Sequence, residues 1–223
     1  MIPFWKKILS RIVDIPLERA STEYNPDVEL HLRNGRLLLT TPNAIYSYGD
    51  LYLNFYEAFR RLKPQNRPIR EVLVLGLGMG SIPWMLEKKF GRAYNYTCVE
   101  VDEVIAGWAM QYTVPELKSP MTIYTAHAVP FVHSCTQRFD LVCVDLFLDE
   151  HVPDELDDPD FTAALAGLLN ENGLLMWNRL ADKGNLIERT EKFYENVFSK
   201  TFDDAHVLTF EGNWMLLNKH PEK

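Results

Sequence analysis

The chain has 223 residues, of which 47% are hydrophobic and 24% charged, enough to bury the core of one α/β domain of ordinary size. Its formal net charge of -8 argues against broad binding to nucleic-acid phosphates, which requires an excess of Lys and Arg. The three cysteines lack metal-ligand spacing, and no apolar run approaches the length of a bilayer span or a signal peptide. We therefore expect a cytoplasmic protein that binds no metal, no nucleic acid and no membrane.

The first third of the chain predicts a helix followed by a small antiparallel unit. Helical spacing places four apolar residues on one face: Phe4, Ile8, Ile12 and Ile15. We favour packing of this face on the domain itself or on a partner subunit over membrane binding. Residues 28–41, VELHLRNGRLLLTT, alternate on both sides of an Asn-Gly pair, which is typical of a β-hairpin. AIYSYG indicates a third strand, and DLYLNFYEAFRRL indicates a helix with Asp50 as its expected N-cap.

From residue 70 onward, apolar runs alternate with helical patterns. The strand-like runs cover 71–75, 94–99, 121–125, 139–144 and 173–177. The helical patterns lie near 80–90, 102–112, 127–134, 159–170 and 185–199. This alternation predicts an α/β fold with a doubly wound, mostly parallel sheet, and AHVLTF-EGN-WMLLNK predicts an antiparallel hairpin at its edge. We divide the chain into an N-terminal unit of helix, β-hairpin and connecting helix at 1–63 and a Rossmann-like domain at 64–223.

The stretch EVLVLGLGMGSIPWMLEKKF is typical of a buried strand, a glycine loop and a helix. Such a loop lets a nucleotide approach bare backbone near the free N–H groups of the helix start, although close strand–helix packing is an alternative use. Gly76, Gly78 and Gly80 are spaced G-x-G-x-G, and Ser81 stands where the dinucleotide fingerprint has its third glycine. The spacing favours an adenosyl-sulfonium cofactor over NAD.

Carboxylates close two later strands. Glu100 lies twenty residues after Gly80, at the usual position of the acceptor for both ribose hydroxyls, and Asp102 is the expected N-cap of the next helix. Asp145 ends the strand FDLVCV, at the sheet edge where α/β folds bind ligands, and its apolar neighbours are expected to shift its pKa. The acidic residues that follow, including Asp149, form a solvated loop or a gate that attracts an amine.

The order of YSYGDLYLNFYEAF, VLVLGLGMGS, CVEVD and FDLVCVDLF…VP resembles that of the spermidine synthase (aminopropyltransferase) superfamily, over roughly residues 28–180. The resemblance implies a β-hairpin region followed by a seven-stranded sheet of the class I methyltransferase type. It implies S-adenosylmethionine, S-adenosylhomocysteine or decarboxylated S-adenosylmethionine as the cofactor. It also implies a small-molecule acceptor and a homodimer.

The resemblance places site residues on the matching motifs. The expected cofactor-binding residues are Gly76, Leu77, Gly78, Gly80, Ser81, Glu100, Val101, His127 and Asp145. Asp145 is also the expected catalytic residue, and Tyr46, Tyr48 and Asp149 are expected to bind the acceptor. For the tyrosines, and for Tyr52 beside them, packing between hairpin and sheet is the alternative. His127 is either a helix-start residue or a neighbour of the adenine.

Several positions depart from the superfamily pattern. Met79 stands where the GGGDGG loop has the Asp that holds the aminopropyl amine, and residues 146–148 are apolar where D-[ST]-[ST]-D-P is polar. Ala126 and His127 replace the acidic pair that recognises the adenine. We therefore favour methyl over aminopropyl transfer. An aminopropyltransferase with an altered pocket and a non-catalytic nucleoside-binding module remain as alternatives. The apolar run after Asp145 predicts a more hydrophobic acceptor, or none.

Overall fold

A computed structural model describes residues 2–42, 44–147 and 152–221. Its N-terminal part forms helix α1 (Phe4–Leu9) and a four-stranded antiparallel sheet, followed by helix α2 (Leu53–Leu62). The strands of this sheet are β1 (Ile15–Ala20), β2 (Val28–Arg33), β3 (Arg36–Thr40) and β4 (Ile45–Ser47). The predicted hairpin is β2–β3, and Asn34 and Gly35 form its turn with φ angles of 52° and 74°. Both angles suit the two-residue turn that matches strand twist.

Two local predictions for the N-terminal part are wrong. The first helix ends at Leu9 and does not reach Ile15, which instead begins β1 and pairs with Leu32 of β2. Buried Ser10 stops the helix beside the hairpin, because its hydroxyl accepts from the Gly35 N–H at 2.8 Å. Asp50 does not cap α2. Its carboxylate pairs with Arg36 and, at 2.7 Å, with Lys89, and these two cations hold its pKa down at about 2 although burial raises it.

The second part forms a seven-stranded sheet in the order β10-β11-β9-β8-β5-β6-β7. Its strands are β5 (Glu71–Leu75), β6 (Asn95–Glu100), β7 (Met121–Thr125), β8 (Phe139–Val144), β9 (Leu169–Leu180), β10 (His206–Phe210) and β11 (Asn213–Leu217). Strands β5 to β9 are parallel to one another, whereas the pairs β9–β11 and β11–β10 are antiparallel. The predicted α/β fold with a closing hairpin is therefore confirmed.

Helices connect these strands on both faces of the sheet. They are α3 (Ser81–Lys88), α4 (Glu103–Tyr112), α5 (Ala128–Ser134), α6 (Pro159–Gly167) and α7 (Gly184–Phe193), which continues as a π-helical turn (Tyr194–Phe198). The chain adds β6 and β7 on one side of β5 and then returns to add β8 and β9 on the other. Such a reversal leaves a crevice at the carboxyl ends of the two central strands, where α/β sheets bind ligands.

Two apolar clusters cover the faces of the large sheet. One contains α2 and α3, with Phe55 and Phe59 fully buried, and the other surrounds Trp177, which is 1% exposed. α2 thus packs on the large sheet, and the chain division near residue 63 stays a prediction. In the part of the chain that the structure describes, no helix combines the length and hydropathy needed to cross a bilayer.

The N-terminal sheet is fastened to the large sheet through Asp102. As predicted, this residue caps α4, with one carboxylate oxygen accepting from Val104 N–H at 3.0 Å. The other oxygen accepts from the Thr22 hydroxyl and from the Asn25 amide at 2.9 Å. Asp102 is 1% exposed, and these bonds compensate for the burial of its polar side chain. A single buried carboxylate therefore joins α4 to the loop between β1 and β2.

The backbones that follow β5 and β8 lie close together at Gly76, and this short distance leads to a stability prediction. Gly76 directly follows β5 with φ +84°, and a Cβ there would lie 2.1 Å from the carbonyl oxygen of Asp145. Gly76→Ala is expected to destabilise the fold by about 3 kcal/mol or more, because backbone on both strands would have to move. Gly91→Ala is the matched control: φ is +75°, but no atom lies within 4 Å of its Cβ. It should lose only about 1–2 kcal/mol of conformational energy. Equal losses in urea unfolding would contradict the close approach.

Candidate active site at the centre of the sheet

A cavity of about 500 Å³ opens at the carboxyl ends of the central strands. The N-terminal sheet covers one side of it through β4, and the large sheet forms its floor. Along that floor, Glu100 ends β6 and Asn213 begins β11. Gly76, His127 and Asp145 lie just after the ends of β5, β7 and β8. Because the strand order is β11-β9-β8-β5-β6-β7, Glu100 and Asp145 lie on opposite sides of the glycine loop. The cavity therefore has a Glu100 half and an Asp145 half.

Glu100 is held by backbone on both of its oxygens. Oε2 accepts from Gly78 N–H at 2.8 Å, and Oε1 accepts from Asp102 N–H at 3.2 Å. The residue is 8% exposed, and burial raises its pKa while the N–H groups of Gly78 and Asp102 act in the opposite direction. A carboxylate has about four lone-pair sites. Backbone N–H groups use part of this capacity, and the remaining acceptor sites are available to hydroxyl groups in the cavity.

The far end of the Glu100 half is lined by small and aromatic side chains. Val101 and Ala126 line it together with His127 and Tyr24. His127 Nε2 is hydrogen-bonded to the Tyr24 hydroxyl at 3.0 Å, and the two rings meet edge to face. His127 is the residue before α5 and makes no side-chain cap, so it is both a helix-start residue and a cavity residue. An apolar edge and a polar ring pair therefore both line this end of the cavity.

Asp145 dominates the other half. Its Oδ1 accepts from the Tyr52 hydroxyl at 2.9 Å and from the Asn178 amide at 3.0 Å. Burial raises its pKa to about 7, and the Asn178 and Tyr52 hydrogen bonds hold it below what burial alone would produce. The charge of Glu100 adds to the rise. No described residue donates to Oδ2, so that oxygen is available to a ligand proton at neutral pH.

The polar support of Asp145 includes two residues that sequence reasoning missed. Asn178 lies in β9, is 1% exposed, and accepts on Oδ1 from the amide of Asn213 at 3.1 Å. This second bond fixes the orientation of the Asn178 amide, so that its N–H₂ group points at Asp145. A buried asparagine inside the apolar run GLLMWNRL was the available signal, because such a group needs partners.

Most of the predicted cofactor residues come together here. Gly76, Leu77, Gly78, Ser81, Glu100, Val101, His127 and Asp145 line the cavity. Gly80 does not; it caps α3 with φ 76°, and a Cβ there would meet Thr113 at 3.1 Å. Met79 also turns away and is buried with Val28, Ile105 and other residues between the N-terminal sheet and α4. The loop thus presents residues 76–78 to the cavity and turns Met79 and Gly80 away from it.

The residues predicted to bind the acceptor have different outcomes. Tyr46 lines the cavity, and its hydroxyl donates to Asn25 at 2.9 Å. Tyr48 is not among the lining residues, because β4 ends at Ser47 and Tyr48 leaves the strand with φ −147° and ψ 46°. Tyr52, the next tyrosine, reaches Asp145 instead. Asp149 lies outside the described residues.

Two described residues of the acidic loop, Asp154 and Asp157, form ion pairs within the fold. Asp157 bridges Arg179 and Arg189, and Arg189 also pairs with Asp154 at 2.9 Å. Of these acidic residues, only Glu155 lines the cavity among those that the structure describes. The ion pairs fasten the segment before α6 to β9 and α7.

Comparison with known proteins gives relatives of two kinds. No family model matches the chain. Over 150 residues the sequence is 25% identical to a polyamine aminopropyltransferase of Vibrio vulnificus, covering 66% of this chain and 49% of that protein. Over 113 residues it is 30% identical to an N-terminal histidine N-methyltransferase of Emericella nidulans, covering 49% of this chain and 20% of that protein. The chain therefore spans about half or less of the length of the curated relatives it matches.

Solved structures share the fold. A spermidine synthase in complex with the transition-state analogue AdoDATO superposes with a TM-score of 0.70, covering 91% of this chain and 72% of that one at 16% identity. Human methyltransferase-like protein 13 in complex with SAH superposes with a TM-score of 0.57, covering 74% and 78% at 19% identity. In sequence the chain is similar to polyamine aminopropyltransferases, and its fold is that of spermidine synthases and methyltransferase-like proteins.

Proposed function

We propose that the chain is an S-adenosylmethionine-dependent transferase that binds the nucleoside in the Glu100 half of the cavity and carries out transfer beside Asp145. The observation that carries the proposal is the buried Glu100 carboxylate, fixed by Gly78 and facing the cavity. The relatives are named as transferases of aminopropyl and methyl groups, and the two solved neighbours hold AdoDATO and SAH. Both lines support an adenosyl ligand.

The residues of the Glu100 half fit such a nucleoside. Glu100 would accept from the two ribose hydroxyls, and the ring pair of His127 and Tyr24 would lie beside the adenine. Gly78 brings backbone to the cavity without a side chain, next to Ser47 of β4. When bound, the cofactor supplies an electrophilic carbon on a positively charged sulfur. The contribution of the protein would be mainly to hold that carbon in line with the acceptor.

Asp145 would serve as the general base for the acceptor. Oδ1 is held by Tyr52 and Asn178, and Oδ2 would take the acceptor proton. A base is most effective when its pKa lies near the working pH, and the pKa of Asp145 is raised to about 7. Asn178 and Asn213 would act as positioning residues, since they orient the carboxylate without facing the acceptor proton.

Within this function we favour methyl over aminopropyl transfer. In aminopropyltransferases the glycine-loop acid holds the amine of the transferred group, and here Met79 is buried away from the cavity. Leu146 and Phe147 line the cavity directly after Asp145, where the superfamily pattern is polar. Aminopropyl transfer is the second candidate, and the named aminopropyltransferase relatives favour it. A homodimer and a cytoplasmic location stay predictions.

The role of Glu100 is tested by replacing its charge. Glu100→Gln is expected to weaken S-adenosylhomocysteine binding by about 10- to 100-fold, because a charge-assisted hydrogen bond contributes about 1.5–3 kcal/mol. Glu103→Gln is the matched control, since Glu103 is exposed in the first turn of α4 and does not line the cavity. Calorimetry measures both variants. Unchanged affinity in Glu100→Gln, or no binding to the unmodified protein at millimolar nucleoside, would sink the assignment.

The raised pKa of Asp145 predicts a pH-dependent cost to stability. The folded protein keeps this proton up to about pH 7, whereas the free carboxyl loses it near 3.8, so folding stability falls as the pH rises through this window. Asp145→Asn cannot ionise. Its free energy of unfolding, relative to the unmodified protein, should therefore rise by about 2 kcal/mol between pH 5.5 and 8.5.

Asp140→Asn provides the control for this measurement. The pKa of Asp140 is lowered from 3.8, because N–H groups of Glu71 and Arg70 and the amide of Asn170 outweigh its burial. Asp140 is therefore ionised in both the folded and the unfolded protein between pH 5.5 and 8.5. Its replacement should change the free energy of unfolding by the same amount at every pH in that range. If urea unfolding shows a pH-independent difference for Asp145→Asn as well, the raised pKa is wrong.

A further inference from the structure

The cavity wall next to Asp145 is apolar and firmly packed. Five side chains form it: Leu146, Phe147, Leu156, Leu180 and Leu186. Leu156 is 1% exposed, and Leu146, Phe147 and Leu180 pack against the same buried cluster, so the wall is part of the core. A molecule that presents a nucleophile to Asp145 therefore lays its body against hydrocarbon.

The apolar surface continues to the mouth of the cavity. Leu51 and Leu53 flank Tyr52, whose hydroxyl is bonded to Asp145, and both leucines line the cavity. They are 42% and 59% exposed, so the apolar lining reaches the solvent at this point. Since Tyr52 is fixed at Asp145, its neighbours mark the way from the carboxylate to solvent.

The charges of the described residues in this half of the cavity suit one cation and not two. Glu100 belongs to the other half, and its oxygens are already engaged by backbone N–H groups. Glu155 and Asp182 line the cavity but are exposed, and Asp182 lies 3.9 Å from the Lys183 ammonium. Exposed charges of this kind are screened and contribute little. A second ammonium against the leucine wall would find no buried counter-ion among the described residues, which is strongly unfavourable.

We propose that the acceptor is a monoamine with an apolar alkyl or arylalkyl body, in contrast to a diamine. This inference rests on the proposed function and specifies its acceptor. The ammonium of the acceptor gives one proton to Oδ2 of Asp145. The freed lone pair of nitrogen then forms the new C–N bond, while the electrons of the broken C–S bond stay on sulfur as a neutral thioether. The apolar body lies along the wall and leaves past Leu51 and Leu53.

The test compares binding of matched amines to the full chain by calorimetry, with and without saturating S-adenosylhomocysteine. The series is butylamine, pentylamine and hexylamine against 1,4-diaminobutane and 1,6-diaminohexane. Each added methylene of the monoamine should tighten binding about fourfold, as expected for a buried CH₂. Hexylamine should bind at least about tenfold more tightly than 1,6-diaminohexane, since the second ammonium meets the apolar wall.

Variants at the mouth test the direction of the apolar body. Leu53→Asn should weaken hexylamine more than butylamine and so flatten the series. Ile12→Asn is the matched control, because Ile12 is 82% exposed and does not line the cavity. It should leave the series unchanged. Leu51→Asn replaces Leu53→Asn if circular dichroism shows that the latter does not fold.

Several outcomes would overturn the inference. These are diamines that bind as tightly as monoamines of equal length, no dependence on chain length, or hexanol binding as tightly as hexylamine. If the amine series fails while S-adenosylhomocysteine binds, only the acceptor class is lost. If the nucleoside does not bind, the proposed function is lost, and the series without nucleoside still tests the wall.

Discussion

The hydrogen bond from Gly78 N–H to the Glu100 carboxylate joins the two chain segments that define the Glu100 half of the cavity. It fixes the glycine loop after β5 against the end of β6, at a site where an ionised carboxylate needs compensation for its burial. Asp102 follows two residues later and caps α4 while accepting from Thr22 and Asn25. The loop, α4 and the N-terminal sheet are therefore positioned by carboxylates from one short turn.

The carboxylate of Asp145, unlike that of Glu100, is only partly compensated by hydrogen bonds. The backbone N–H of Asp145 donates a hydrogen bond to the carbonyl oxygen of Leu75 at 2.8 Å, which fixes its backbone. The carbonyl of Asp145 in turn leaves no room for a side chain at Gly76. Among the described residues, donors then reach only one oxygen of the side chain. Incomplete compensation raises its pKa, which lowers stability at neutral pH and at the same time makes the group a suitable base. Stability and reactivity at this residue have one physical origin.

Much of the architecture could be predicted from the sequence, because its elements are encoded locally. The runs at 71–75, 121–125 and 139–144 match β5, β7 and β8, and the Asn34-Gly35 turn is where the hairpin pattern predicted it. Strand β1 could not be found, because IPLERA lacks clean alternation and pairs only once β2 is in place. The role of Asp50 depends on Lys89 from the end of α3, which no local pattern brings near it.

In the candidate site, too, locally encoded residues could be predicted from the sequence and residues that depend on distant strand pairing could not. Gly76, Gly78, Glu100 and Asp145 could be predicted because strand ends of a parallel sheet meet at one edge. Asn178 and Asn213 could not, since their contact with Asp145 depends on β9 lying beside β8 and on β11 running antiparallel to β9. The mouth residues Leu51 and Leu53 resemble ordinary helix-start residues in the sequence, and only Tyr52 between them shows their place.

The central claim is that one cavity holds a nucleoside at Glu100 and an acceptor at Asp145. A crystal structure of the full chain with S-adenosylhomocysteine and hexylamine tests it most directly. The account predicts both ribose hydroxyls within hydrogen-bonding distance of Glu100, the sulfur between the glycine loop and Asp145, and the amine nitrogen on Oδ2 of Asp145. A nucleoside bound away from Glu100, with that carboxylate contacting only its backbone partners, would contradict the account.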